Sequence, residues 1–195
     1  MSPRRFFKVY LATLVIATLS LLTPASHAEG FDLRVLQPTT LFVQAGVADD
    51  NTQAYIAGAT WNWNWSKQWS AVTATGYFEA DVGRWITNQG GVSGSAWATQ
   101  VGITPVLRLQ PTGAARAWFA EIGVGANFIL PIFRSEEKRF STEFNFGDHL
   151  AIGRQFGKDN RQELALRLQH FSNGGINEPN PGENFVQLRY SYRLK

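Results

Sequence analysis

"LRLQHFSNGGINEPNPGENFVQLRYSY", residues 166–192, decides how this chain folds. Ahead of its three glycines, Leu164, Leu166 and Leu168 alternate with Glu163, Arg167 and Gln169. After them, Val186, Leu188, Tyr190, Tyr192 and Leu194 alternate with Gln187, Arg189 and Arg193. Successive side chains of a strand point to opposite faces, so each run reads as a strand with one apolar and one polar face. The stretch rich in Gly, Asn and Pro between them reads as a connection. His170 and Ser172 share the parity of the leucines. A base and a hydroxyl therefore stand on the apolar face, and the direction of that face settles what they meet.

The same two-residue period recurs along the chain. Eight segments are expected, at about 41–48, 53–65, 69–86, 95–109, 116–128, 140–156, 162–172 and 183–194. In the second, Tyr55, Ala57, Ala59, Trp61, Trp63 and Trp65 oppose Gly58, Thr60, Asn62 and Asn64. In the fifth, Trp118, Ala120, Ile122, Val124, Ala126 and Phe128 oppose Phe119, Glu121, Gly123, Gly125 and Asn127. A soluble barrel would turn the apolar face inward, and a membrane barrel turns it outward. Three features favour the membrane. Many segments reach the roughly 9–11 residues that cross a bilayer at a tilt. The polar face mixes glycine with Arg108, Glu121, Glu143, Arg167 and Arg189, which can pair inside a narrow lumen. Trp61, Trp63, Trp65, Trp69, Trp97 and Trp118 fall near segment ends, where interfacial girdles form. The expected fold is all-β, an eight-stranded antiparallel transmembrane β-barrel without open edges.

An even strand count puts both termini on one side, the periplasm in an outer membrane. The longer connections at about 87–94, 129–139 and 173–182 then lie outside, and shorter ones near 66–68, 110–115 and 157–161 face the periplasm. The N-terminus supports export. Arg4, Arg5 and Lys8 precede the mostly apolar run Val9–Leu22, and "TPASHA" places Ser26 and Ala28 as a cleavage site expects. Residues 1–28 are therefore expected to be a signal peptide and 29–195 the barrel domain. The chain has 18 Lys+Arg against 15 Asp+Glu, and the signal holds three of the basic residues and no acid. The remainder is neutral, so the basic isoelectric point does not speak for a nucleic-acid partner. Cysteine is absent, so no disulfide can staple the domain.

If the leucines of segment seven face lipid, so do His170 and Ser172, near the outer end of an outward-running strand. A hydroxyl becomes a nucleophile when a base takes its proton, which is the core of serine hydrolase chemistry. The ester bonds of outer-leaflet lipids lie at that depth. Spacing of two along a strand shares a face but separates the side chains, so contact needs converging rotamers. On spacing alone, His-x-Ser is a weak signal, and a surface histidine beside a turn-initiating serine is the plainer reading. The lipid-facing parity reverses that preference.

"HFSNGGINEPNPG", residues 170–182, resembles the signature of the PagL family of outer-membrane lipid A 3-O-deacylases. The likeness is strongest from Asp148 ("DHLAIG") to Tyr192 and extends more weakly over the strand pattern. The resemblance implies an eight-stranded barrel with a Ser–His–acid triad on its outer surface, which hydrolyses the ester-linked chain at position 3 of lipid A. It implies Ser172 as nucleophile and His170 as base, with Asn173 and Asn180 helping to bind the oxyanion. Lipid A, as part of lipopolysaccharide, is the implied substrate, with no metal and no other cofactor. The family pattern has its glutamate two residues after the Gly of Pro-Asn-x-Gly. That position is Asn184 here, and Glu183 stands one residue early. Two arrangements are open. Asn184 can orient His170 through its side-chain oxygen, as in Cys-His-Asn proteases. Alternatively, a bulge at Gly182 can bring Glu183 round to His170. Glu178 in the connection is a weaker candidate.

Other motifs carry less. His149 has the parity of Glu143 and Gln155, and reads as a member of a lumen network, since no metal-ligand spacing accompanies it. "SEEKR", residues 135–139, reads as a solvated loop tip whose Arg134, Lys138 and Arg139 could touch anionic headgroups. Beside a lipid A esterase stand two alternatives: another lipid-directed enzyme (a phospholipase or acyltransferase), or a non-enzymatic structural or adhesive barrel.

Overall fold

The computed structural model describes residues 37–88 and 95–194. The expected signal peptide and most of the 87–94 connection lie outside the described residues. Eight strands follow in chain order: β1 Thr40–Ala48, β2 Gln53–Gln68, β3 Val72–Asn88, β4 Ser95–Pro111, β5 Trp118–Leu130, β6 Phe144–Phe156, β7 Gln162–Ser172 and β8 Glu183–Arg193. Each pairs antiparallel with its neighbours, and β8 closes on β1.

The apolar faces point outward. Leu164, Leu166, Leu168, Val186 and Leu188 are each 44–55 % exposed, while Glu163, Arg167, Gln169, Gln187 and Arg189 are buried. Charged side chains inside and leucines outside exclude a water-soluble barrel, because only a bilayer would cover such a surface favourably. Trp65, Trp69 and Trp118 ring the end that carries the termini, and Trp97 stands toward the opposite end.

Two expected boundaries are corrected. The second strand passes through an irregularity between Asn62 and Ser66 and ends at Gln68, so its turn is 69–71. The sixth strand begins at Phe144 rather than 140. Residues 131–143 instead fold back on themselves, with a bridge between Arg134 and Arg139 and with Phe133 and Phe140 buried. Glu143, expected among the lumen residues, is an exposed rim residue before β6 for the same reason.

Inside, charge pairs replace a hydrocarbon core. Arg167 grips Glu79 with two hydrogen bonds, of 2.9 and 3.1 Å, and Arg189 donates to the same carboxylate. Toward the termini, Arg108 spans Glu121 at 2.7 Å and Glu163 at 2.8 Å. His149 is buried in the lumen as expected, opposite Gly123, but neither ring nitrogen has a hydrogen-bond partner among the described residues. At the opposite end an aromatic cluster fills the barrel. Trp85 meets Phe133, Phe140, Phe171 and Phe185 edge-on at centroid distances of 4.8–6.4 Å, a geometry that aromatic quadrupoles favour.

Reversible urea unfolding in detergent or vesicles separates the two faces. Leu166→Arg is expected to cost about 2–4 kcal/mol if the leucine lies mid-bilayer. Glu79→Ala is expected to cost about 3–5 kcal/mol, since it leaves two buried guanidinium groups without their carboxylate. Equal tolerance of both would contradict this assignment of faces.

Candidate active site

Phe171 separates His170 from Ser172, and its ring is driven inward against Trp85. The pleat then forces His170 and Ser172 outward, where both are half-buried. On β8, Phe185 packs on the same tryptophan, and the pleat sends its neighbour Asn184 outward. The ladder pairs His170 with Asn184 on one side and with Asp148 of β6 on the other. Ser172 stands opposite Phe146.

Asn184 Oδ1 lies 2.7 Å from His170 Nδ1. A carbonyl oxygen only accepts, so Nδ1 carries the proton and the lone pair is on Nε2. Gly182 makes room for the ring. Its φ is +73°, and a Cβ placed there would come within 2.6 Å of His170 Cε1. No hydrogen bond joins Ser172 Oγ to His170 among the described residues. Catalytic pairs of this kind are commonly longer before substrate binds.

Glu183 takes the other face. The strand is unbroken from its first residue, so Glu183 points inward, fully buried, and accepts a 2.8 Å hydrogen bond from Lys138. Its carboxylate is therefore not beside His170, and the arrangement that needed a bulge at Gly182 is not the one adopted. Glu178 is not there either: its carboxylate accepts from the Asn180 backbone N–H at 3.0 Å and shapes the 173–182 connection.

The two expected oxyanion residues are unequal. Asn173 is buried, and its side-chain amide donates to Ser141 Oγ at 3.0 Å and to the Asn177 carbonyl at 2.8 Å. Its oxygen accepts from the Gly175 N–H, and its own backbone N–H is taken by Asn180 Oδ1 at 3.0 Å. Asn173 is thus spent on loop architecture. Asn180 is anchored through its oxygen, and its side-chain nitrogen makes no hydrogen bond among the described residues.

Asp148 escaped the sequence reading. It faces outward and stands opposite His170 in the β6–β7 ladder, with no hydrogen bond or ion pair between the two side chains. A signal existed: Asp148 shares parity with Leu150 and Ile152, so an acid occupies a lipid-facing position, where charge is costly and usually functional. A row of outward rings also leads from Ser172. Phe146 stacks edge-on with Phe144 at 5.1 Å, and Phe144 with Phe128 at 5.7 Å.

Known proteins share this architecture. The sequence model of the family described as Lipid A 3-O-deacylase (PagL) matches residues 53–193. A relative named Lipid A deacylase PagL from Bordetella bronchiseptica is 32 % identical over 143 residues, covering 73 % of this chain and 75 % of the relative. A relative of the same name from Pseudomonas aeruginosa is 28 % identical over 157 residues, covering 79 % and 86 %. The crystal structure of the outer membrane enzyme PagL superposes with a TM-score of 0.69 at 24 % identity, over 80 % of this chain and 99 % of that one. With the lipid-facing barrel and these matches together, the chain belongs to the lipid A 3-O-deacylase (PagL) family and is an outer-membrane β-barrel hydrolase.

Proposed function

We propose that this protein hydrolyses the 3-O-linked acyl ester of lipid A, with Ser172 as nucleophile and His170 as general base. The observation that carries the reading is the 2.7 Å contact between Asn184 Oδ1 and His170 Nδ1 on the lipid-facing wall, which leaves Nε2 free to act as a base. His170 Nε2 takes the Ser172 proton as Oγ bonds to the ester carbonyl carbon. The carbonyl oxygen becomes an oxyanion, and the Asn180 amide nitrogen is the side chain best freed to donate to it. Collapse breaks the ester bond, and the imidazolium returns the proton to the departing sugar hydroxyl. Water then repeats the sequence on the acyl-enzyme and releases the fatty acid.

Asn184 holds the tautomer but contributes no charge. Asp148 is the carboxylate placed to stabilise the imidazolium that forms during each half-reaction. The apolar row Phe146, Phe144 and Phe128 receives the acyl chain. With the termini in the periplasm, the site lies at the outer leaflet, where lipid A resides. Residues 1–28 act as the export signal.

Mass spectrometry of lipid A from cells with and without the protein tests the substrate, and loss of a 3-O-linked chain is the expected result. Unchanged lipid A with altered phospholipids would favour a phospholipase or acyltransferase instead. Ser172→Ala and His170→Asn should each abolish deacylation in barrels that still fold, since neither side chain enters the lumen. Activity retained in either would remove the mechanism.

The supporting residues give a graded series. Asn180→Ala should lower kcat by about 10²–10³ with little change in KM, as for loss of an oxyanion donor. Asn184→Ala should be severe and Asn184→Asp mild, because a carboxylate also holds the tautomer. Asp148→Asn should lower kcat about tenfold or more, the equivalent of roughly 1.4 kcal/mol of lost charge stabilisation. Glu183→Gln should leave kcat within about twofold, the scale expected of a residue that makes no transition-state contact. A damaging Glu183→Gln beside a mild Asn184→Ala would reverse the assignment.

A further inference from the structure

The rim of the barrel next to the site holds a second cluster that the hydrolysis does not use. Asp49 and Asp50 sit in the turn between β1 and β2, and Glu183 opens β8. One ligand oxygen from each lies within 4.8 Å of the other two. A pair of turn aspartates, one exposed and one half-buried, is ordinary. Glu183 is not, because its side chain is fully buried and its Oε2 has no hydrogen-bond partner. Thr52 Oγ1, in a residue that is itself fully buried, also lacks a partner, as does Asp50 Oδ2. The Thr52 backbone N–H donates to Asp50 Oδ1 at 2.9 Å.

The cluster has too few positive charges. Lys138 from the 131–143 loop donates to Asp49 Oδ1 and to Glu183 Oε1. Three carboxyl groups therefore share one ammonium, which reaches only Asp49 and Glu183. A hard cation with oxygen ligands would satisfy the orphaned atoms. Carboxylates from separate segments, with a hydroxyl and open access to water, suit the irregular coordination of calcium better than the strict octahedron of magnesium.

We propose that Asp49, Asp50 and Glu183 form a binding site for a divalent cation of calcium size, with Lys138 as its built-in competitor. Binding there ties the β1–β2 turn to the start of β8, one residue before Asn184. None of its side chains touches His170 or Ser172, and its link to the proposed hydrolytic site runs through the Asn184 backbone N–H, which donates to Glu183 Oε1 at 3.3 Å. The plainer alternative is that Lys138 alone is the counter-ion and water satisfies the remaining oxygens.

Isothermal titration of calcium chloride into the purified protein, in detergent and stripped of lipopolysaccharide, distinguishes the two. Expected is one saturable site per chain with a dissociation constant of about 10⁻⁴–10⁻³ M, the range of exposed oxygen sites. Asp49→Asn with Asp50→Asn should weaken it about tenfold or more, for two lost carboxylate ligands. These changes lie on an exposed turn, so they stay informative even where Glu183→Gln fails to fold. Lys138→Gln should tighten binding by about the same factor, because the competing cation is gone. No saturable heat, binding indifferent to the paired Asp changes, or binding unchanged or weakened by Lys138→Gln would each overturn the proposal. Equal affinity for magnesium would overturn the size assignment.

Discussion

The Glu79 carboxylate, gripped by Arg167 and Arg189 in the middle of the lumen, is the interaction on which the rest of the structure depends. It joins β3 to β7 and β8 across the barrel, and β7 and β8 carry the site. Its geometry is specific, because the planar guanidinium of Arg167 matches both carboxylate oxygens. A slip of one residue in either strand would expel an arginine into lipid and draw leucines into the lumen. The charges thus enforce which face of β7 meets the membrane. The same constraint places His170 and Ser172, whose parity is opposite to that of Arg167.

A hydrolase on the outside of a barrel must be held rigid from the inside. In this protein Phe171 and Phe185 do so, each inserted beside an outward site residue and each seated on Trp85. The 131–143 loop completes the packing with Phe133 and Phe140, and reaches the site loop through Ser141 and Asn173. Long aromatic side chains anchored in a closed sheet lose little freedom when substrate binds, which is the structural basis of preorganisation. Lipid presses on the other side, so the substrate arrives by lateral diffusion and needs no cleft through the protein.

The charge balance of the site differs from the pattern that the family resemblance implies. An asparagine occupies the place of the glutamate on β8, and an aspartate flanks the histidine from β6. The two tasks of a triad acid, holding the tautomer and neutralising the imidazolium, are separable in principle. In the proposed mechanism they fall to different strands. Glu183 belongs to a different network altogether, the rim cluster with Lys138 and Asp49. One register step divides the outward side chains of the candidate site from the inward ion pairs.

Period-two alternation determined the strand number and which residues share a face, and together with strand length, paired lumen charges and tryptophan placement it set His170 and Ser172 outward. Those properties follow from the pleat, which is local and leaves its mark on every second residue. The Gly–Asn–Pro connection and its flanking motif likewise carried the family resemblance. Only the tertiary structure decided what crosses between strands. It showed that Asp148, twenty-two positions before His170, is its lateral neighbour. It showed that Asn173 spends its donors on the loop and Asn180 does not, and that residues 131–143 fold inward instead of extending β6. It also showed that Glu183 answers to Lys138 rather than to His170. Each of these depends on the shear and closure of the barrel, which fix the neighbours of a residue on adjacent strands. No periodicity within one strand encodes the register between two.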